Sequence, residues 1–313
     1  MRARSIEDLQ KAIVFAREKN IPYFILGGGS NTLVPDEGFL GLVIKIEHTG
    51  LEVVDKDGYT QVIISAGEVW DEFVSKMVDF GFCGLENLSS VPGTVGGAIV
   101  QNIGAYGVEM GDCVAWVEVF NTETMTIEKF SQKECSFGYR ESIFKKKNAL
   151  VVVRVAFELT CSKSPRIEYE EVKSSLREKE NFTPTLLDVR NAIISIRAAK
   201  LPAIHIGTAG SFFKNPIISD DRCYEIKKKF PDIKKYPLPE NKTKLSAAWL
   251  IENVGGFKGI RRGDAGVYDK HALILVNYGN ASAKDILSLA SEMKDVIKRK
   301  TGIVLEEEVV MMQ

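Results

Sequence analysis

The tract Val91-Pro92-Gly93-Thr94-Val95-Gly96-Gly97-Ala98, followed closely by Gln101-Asn102-Ile103-Gly104-Ala105-Tyr106-Gly107, decides how this chain is read. Its side chains are small or neutral hydrogen-bonding groups with a single aromatic, and it is long for a mere connection. Long segments without secondary structure in compact domains tend to be functional. Such a backbone suits a flat, neutral or anionic ligand lying directly against it. A second patch, Gly27-Gly28-Gly29-Ser30-Asn31, closes a short apolar strand at Tyr23–Leu26. Glycines let successive N–H groups point at one anion, and Ser30 and Asn31 add donors. The patch fails the Rossmann pattern, because the third glycine would fall at Thr32 and Pro35 opposes a helix there. No Gly-Lys pair occurs, so there is no P-loop.

Outward from these tracts the pattern is mixed. Ser5 with Asp8 forms a capping-box signal for a first helix. Asp57-Gly58 and Asn121–Thr124 each sit between strand-like runs, as in hairpins. Leu150–Leu159 reads as a long strand, and Glu170–Glu178 and Thr185–Lys200 read as helices. Leu201-Pro202 breaks the chain. Beyond it lie an apolar helix at Ala247–Asn253, a capped helix from Ser282 to Lys300, and a last strand at Ile303–Met311. Without steady βαβ alternation the expected class is α+β.

Composition removes other classes. The chain has 313 residues and net charge −1, with no basic block to grip nucleic acid phosphates. His48, His205 and His271 are far apart, and the five cysteines include no CxxC pair, so no metal site is expected. The chain opens on an amphipathic helix, and its longest uncharged stretch, Asn87–Val108, is too rich in glycine to span a bilayer. The expectation is a cytoplasmic protein with no membrane partner.

The two glycine tracts, with Phe137-Gly138-Tyr139-Arg140-Glu141-Ser142 and Gly210-Ser211-Phe212-Phe213-Lys214-Asn215-Pro216, together resemble the UDP-N-acetylenolpyruvoylglucosamine reductase family. Ala247 to Glu252, Lys258-Gly259 and His271-Ala272-Leu273 follow in the same order. The resemblance spans nearly the whole chain from Ser5. It implies an FAD-binding region of the vanillyl-alcohol-oxidase type over residues 1–162, with subdomains at about 1–46 and 47–162. A connector with a lid would cover 163–200, and an α+β substrate domain 201–313. It implies non-covalent FAD, NADPH as reductant, a small UDP-sugar substrate and a monomer. Hydride would pass from flavin N5 to C3 of the enolpyruvyl group, with protonation at C2.

Residue by residue, the resemblance implies catalytic roles for Arg140, Ser211 and Glu308. Hydride addition beside a carboxylate builds an enolate-like dianion, which an always-charged guanidinium can stabilise. Ser211 would give the proton and Glu308 would assist. Cofactor candidates are Gly27, Gly28, Gly29, Ser30, Asn31, Pro92, Gly93, Gly96, Gly97, Asn102, Gly104, Ala105, Tyr106 and Arg197. Substrate candidates are Tyr139, the lid tyrosine Tyr169, Lys200, Asn215 and His271. The family's N-terminal strand is expected to be missing, and the arginine after the final Glu-Val is absent from Val309-Val310-Met311-Met312. The short start keeps a second possibility open, a flavin-poor UDP-sugar-binding homologue. An oxidase on the same flavin fold is a third.

Overall fold

The computed structural model describes residues 1–161, 164–178, 180 and 182–312, which divide into two units. Unit 1 comprises Met1–Gly29 and Leu40–Ala199, and unit 2 comprises Ser30–Phe39 and Lys200–Gln313. Strands and helices are mixed in both, in keeping with the α+β expectation.

Unit 1 begins with a short strand at its first residues. Arg2–Ala3 pairs in parallel with Lys45–Ile46, and Tyr23–Leu26 adds on the other side of Leu42–Ile46. Helix α1 (Ile6–Glu18) starts where Ser5 accepts from the Asp8 N–H and buries Leu9, Ala12, Ile13 and Ala16.

The larger part of unit 1 is a five-stranded antiparallel sheet. Its order is Thr126–Ser131, Val114–Asn121, Leu150–Leu159, Tyr59–Ser65, Leu51–Lys56. The central strand Leu150–Leu159 is buried at eight of ten positions, which explains its weak alternation in sequence: both faces are covered. Helices α2 (Trp70–Asp79) and α3 (Val95–Gln101) contribute Trp70, Phe73, Met77 and Ile99 to this core. After the short α4 (Ile143–Lys146) and the central strand, α5 (Glu170–Glu178) and α6 (Leu186–Lys200) form a small cluster of their own. In it Val172, Leu176, Val189 and Ile193 are packed against by Tyr106 and Ile167.

Unit 2 has a four-stranded sheet, ordered Gly207–Ser211, Ile274–Asn277, Ala265–Val267, Arg261–Arg262, and a three-stranded sheet beside α7 (Asp220–Lys229). Helix α8 (Ala247–Trp249) runs on into a π-helical stretch at Leu250–Gly255, where the sequence reads as one regular helix. Helix α9 (Ala283–Thr301) has the full Ser282/Asp285 capping box and ends at Gly302 in the left-handed conformation.

Two expectations are corrected here. The run Ile303–Met311 is not one strand: only Val310–Met311 is, with an isolated bridge at Glu307. The reason is a change of partner, from Phe213 at Glu307 to Thr32–Leu33 at Val310–Met311. That second pairing also draws Ser30–Phe39 into unit 2, where the Ala283 N–H donates to Asp36. The loop 27–31 is therefore not a single piece of the first subdomain. Gly27–Gly29 stay in unit 1 while Ser30 and Asn31 belong to unit 2.

Candidate active site

In unit 1 the two glycine tracts meet. A Cβ placed on Gly28 would lie 2.7 Å from Gly93 Cα, and one on Gly27 would lie 2.8 Å from Thr94 Oγ1. Only glycine permits so close an approach of two backbones. The second tract is threaded against residues 66–70. The Trp70 N–H donates to Gly93 O, Val95 N–H to Glu68 O, and Gly96 N–H to Ala66 O. Thr94 then caps α3, accepting from the Gly97 N–H. The result is a wall of backbone with few side chains, placing Gly27, Gly28, Gly93 and Gly97 together.

The edges of this wall carry the polar groups. Arg197 on α6 donates from Nε to Ser90 O at 3.2 Å and also hydrogen-bonds the Tyr106 hydroxyl, so it links the two ends of the tract. Burial, with a smaller contribution from Glu171, raises the Tyr106 phenol above its ordinary pKa, although Arg197 opposes this. Ser90 has φ of 61°. Its N–H donates to Asp71, which Arg190 holds in a bidentate pair at 2.6 and 3.0 Å. Burial pushes the Asp71 carboxyl up. The Arg190 and Ser90 hydrogen bonds and the charges of Arg190 and Arg197 outweigh it, and the carboxyl lies below its ordinary value.

Asn102 does not face a ligand with its amide. Its Nδ2 donates to Glu109 and to Gly138 O, its Oδ1 accepts from the Gly111 N–H, and the residue is 1% exposed. A side chain so fully used is a knot that holds the turn. Its φ of 42° ends α3 and starts the turn to Gly104.

Arg140 stands in a tight turn whose ends, Gly138 and Glu141, exchange hydrogen bonds at 3.0 Å. It takes φ of 58°, donates from Nη2 to Gly104 O at 2.7 Å and lies 5.1 Å from the Tyr139 ring. The guanidinium is thus set beside the second glycine tract. Lys145 holds the Arg140 carbonyl and the Gln101 side chain together. Tyr169 packs edge-on against Tyr106, with centroids 5.4 Å apart at 88°.

In unit 2 a different construction appears. Gly210, with φ of 80°, lies in a register shift between Thr208 and Ser211, so the strand is bulged just before the serine. The Phe212 N–H donates to Leu273 O, and Phe212 O accepts from the Glu308 N–H at 2.8 Å. The Glu308 carbonyl in turn accepts from Asn31 Nδ2 at 3.0 Å, and the Val310 N–H donates to Asn31 O. Phe212, Glu308 and Asn31, remote in sequence, are thereby joined, with Ser211 the residue before Phe212. The neighbouring glutamates are accounted for otherwise: Glu306 is 3.7 Å from Lys214 and Glu307 is 2.6 Å from Lys294. Asn215 accepts from the Ala247 N–H at the start of α8, and His271 Nδ1 accepts from the Leu273 N–H at 3.3 Å. Lys200 is the half-buried last residue of α6.

Comparison with known proteins agrees with this layout. The model of the UDP-N-acetylenolpyruvoylglucosamine reductase C-terminal domain matches residues 202–312, and an FAD binding domain model matches residues 1–130. A UDP-N-acetylenolpyruvoylglucosamine reductase of Flavobacterium johnsoniae is 43% identical over 97% of this chain and 91% of its own length. One from Pseudomonas aeruginosa is 39% identical over 98% and 91%. The chain belongs to the UDP-N-acetylenolpyruvoylglucosamine reductase family. A crystal structure of the reductase from Thermus caldophilus covers all of this chain and 91% of its own, with a TM-score of 0.68 and 28% identity.

Within this reductase family member, several residues of the site escaped the sequence reading. Asn87 and Asp71 bond to the tract and the residue before it, and Glu86 and Arg190 brace their surroundings. The polar run Glu86-Asn87-Leu88-Ser89-Ser90, directly before the glycines, was the available signal. Asp71 and Arg190 are far apart in sequence and gave none.

Proposed function

We propose that this chain is an FAD-dependent, NADPH-using reductase that converts UDP-N-acetylglucosamine enolpyruvate to UDP-N-acetylmuramate. What supports it is membership of the reductase family, together with the pairing of Glu308 with Phe212, the residue after Ser211, in unit 2.

The residues of unit 1 fit FAD. Two glycine backbones in contact offer N–H groups without intervening side chains, as a dinucleotide diphosphate requires. Arg197 adds a cation at the edge of that wall. Gly27, Gly28, Gly29, Ser30, Asn31, Pro92, Gly93, Gly96, Gly97, Asn102, Gly104, Ala105 and Tyr106 would hold it. When bound, FAD supplies the hydride chemistry that carries reducing equivalents from NADPH to C3 of the enolpyruvyl group.

The remaining work falls to protein side chains. Arg140 is anchored by Gly104 O and presents a guanidinium that can stabilise the substrate carboxylate as negative charge accumulates toward C2. Ser211 delivers its hydroxyl proton to C2, which completes addition of one hydride and one proton across the double bond. Glu308 lies beside it and restores that proton from solvent. Tyr139, Tyr169, Lys200, Asn215 and His271 bind the nucleotide. The described residues include no helix long and apolar enough to cross a membrane. We take the enzyme to act as a monomer in the cytoplasm.

The direct test is product analysis. NADPH and the enolpyruvyl nucleotide should be consumed in equal amounts, with UDP-N-acetylmuramate formed in the same amount. NADPH consumption without that product would sink the assignment.

A further inference from the structure

We propose that Glu86 and Asn87 are positioning residues that fix the root of the Tyr169 segment and tie it to Tyr106 of the glycine tract. The inference rests on the reading of Tyr169 as a lid over the nucleotide and adds what controls that lid.

Glu86–Leu88 is a single 3₁₀ turn in which each residue is at most 1% exposed. From it, Glu86 accepts the Gly84 N–H at 2.7 Å and the Arg166 N–H at 3.2 Å. Asn87 Nδ2 donates to Arg166 O at 3.1 Å and to Tyr106 O at 2.9 Å. The two polar groups of Arg166 are therefore both held by adjacent side chains from a distant stretch of chain. Residues 164–168 have no regular secondary structure. Three residues beyond Arg166, Tyr169 lays its ring against Tyr106. A closed circuit results: Asn87 to Arg166, along the chain to Tyr169, across the rings to Tyr106, and back to Asn87.

The chemistry of the two side chains argues that the circuit has a purpose beyond packing. A buried carboxylate and a buried amide are costly unless hydrogen-bonded, and an apolar pair of similar size would fill the space at lower cost. Asn87 Oδ1 finds no partner among the described residues. Its orientation is thus set by the two donations from Nδ2, to the lid root and to the tract. The ion pair of Arg166 with Asp112, at 4.0 Å and about half exposed, contributes little. With its root fixed, the Tyr169 segment swings from one point, and its reach is set relative to the tract that holds the flavin.

The test uses holoenzyme carrying Tyr169→Ala, Glu86→Gln or Asn87→Ser. For each, steady-state KM and kcat for the enolpyruvyl nucleotide are measured, with hydrogen exchange over residues 164–178. Glu86→Gln keeps one acceptor of two, and Asn87→Ser loses both donations. Each should raise KM about tenfold, the equivalent of one hydrogen bond of about 1.4 kcal/mol. Exchange over 164–178 should quicken, while kcat changes by less than about twofold. If Tyr169→Ala raises KM but Glu86→Gln and Asn87→Ser do not, the proposal fails and the lid reading stands. An unchanged KM in Tyr169→Ala removes the lid reading and the proposal with it. Equal losses in kcat and melting temperature without a KM shift would mean that the pair is merely structural. If Glu86→Gln does not fold, Asn87→Ser decides.

Discussion

Unit 1 and unit 2 carry their candidate functional residues by opposite means. In unit 1 the ligand surface is backbone, made by removing side chains: Gly28 and Gly93 touch because neither has a Cβ. In unit 2 the groups proposed to react, Ser211 and Glu308, are side chains on a backbone shaped by the bulge at Gly210 and the bonds from Glu308 to Phe212 and Asn31. A substitution in unit 1 should therefore act by adding atoms and should first be felt as lost cofactor. One in unit 2 should act by removing a functional group and should be felt as lost rate, with the cofactor retained.

The largest effect should come from Ser211→Ala. Loss of a positioned proton donor should slow turnover by about 10²–10⁴-fold while FAD content stays full. Stopped-flow rates of nucleotide-dependent flavin reoxidation check it, and lost FAD would contradict the contrast. Next, Gly28→Ala forces a methyl to within 2.7 Å of Gly93 Cα. Overpacking of this kind costs about 1–3 kcal/mol, and FAD should be released on gel filtration at concentrations where the unchanged protein stays yellow.

The Asp71 pair gives a pH-dependent test within unit 1. Its carboxyl lies below the ordinary value in the folded protein. The stability it contributes is complete above the unfolded pKa, about 3.9, and is lost as pH falls through the lower folded value. Asp71→Asn should therefore lower the melting temperature at neutral pH, and the gap from the unchanged protein should close only in strong acid. A gap that closes near neutrality would contradict it. The smallest effect should come from Glu307→Gln. Its pair with Lys294 is about one-third exposed on each side and contributes at most about 1 kcal/mol, and turnover should hardly change. If instead Glu307→Gln abolished turnover and Glu308→Gln did not, the register of the last segment would be wrong.

The contrast also explains what was legible in the sequence. Glycine tracts announce themselves, because clustered glycine has few other uses, and most strands and capped helices followed from local pattern. The residues that steady the tract were hidden. Asp71 meets Arg190 only through the packing of α2 with α6, and Asn87 meets Arg166 across some eighty residues of chain. The side-chain amide of Asn102 gave no sign in sequence that it would brace the turn to Gly104. The run Ile303–Met311 read as one strand because apolar spacing does not reveal a change of partner from Phe213 to Thr32–Leu33.

The central claim, flavin-dependent reduction of the enolpyruvyl nucleotide by NADPH, is tested most directly by the visible spectrum under anaerobic conditions. The purified protein should show a bound flavin band that bleaches with NADPH and returns in full on adding the enolpyruvyl nucleotide. A colourless protein, or a band that bleaches and does not return with that nucleotide, would contradict the account.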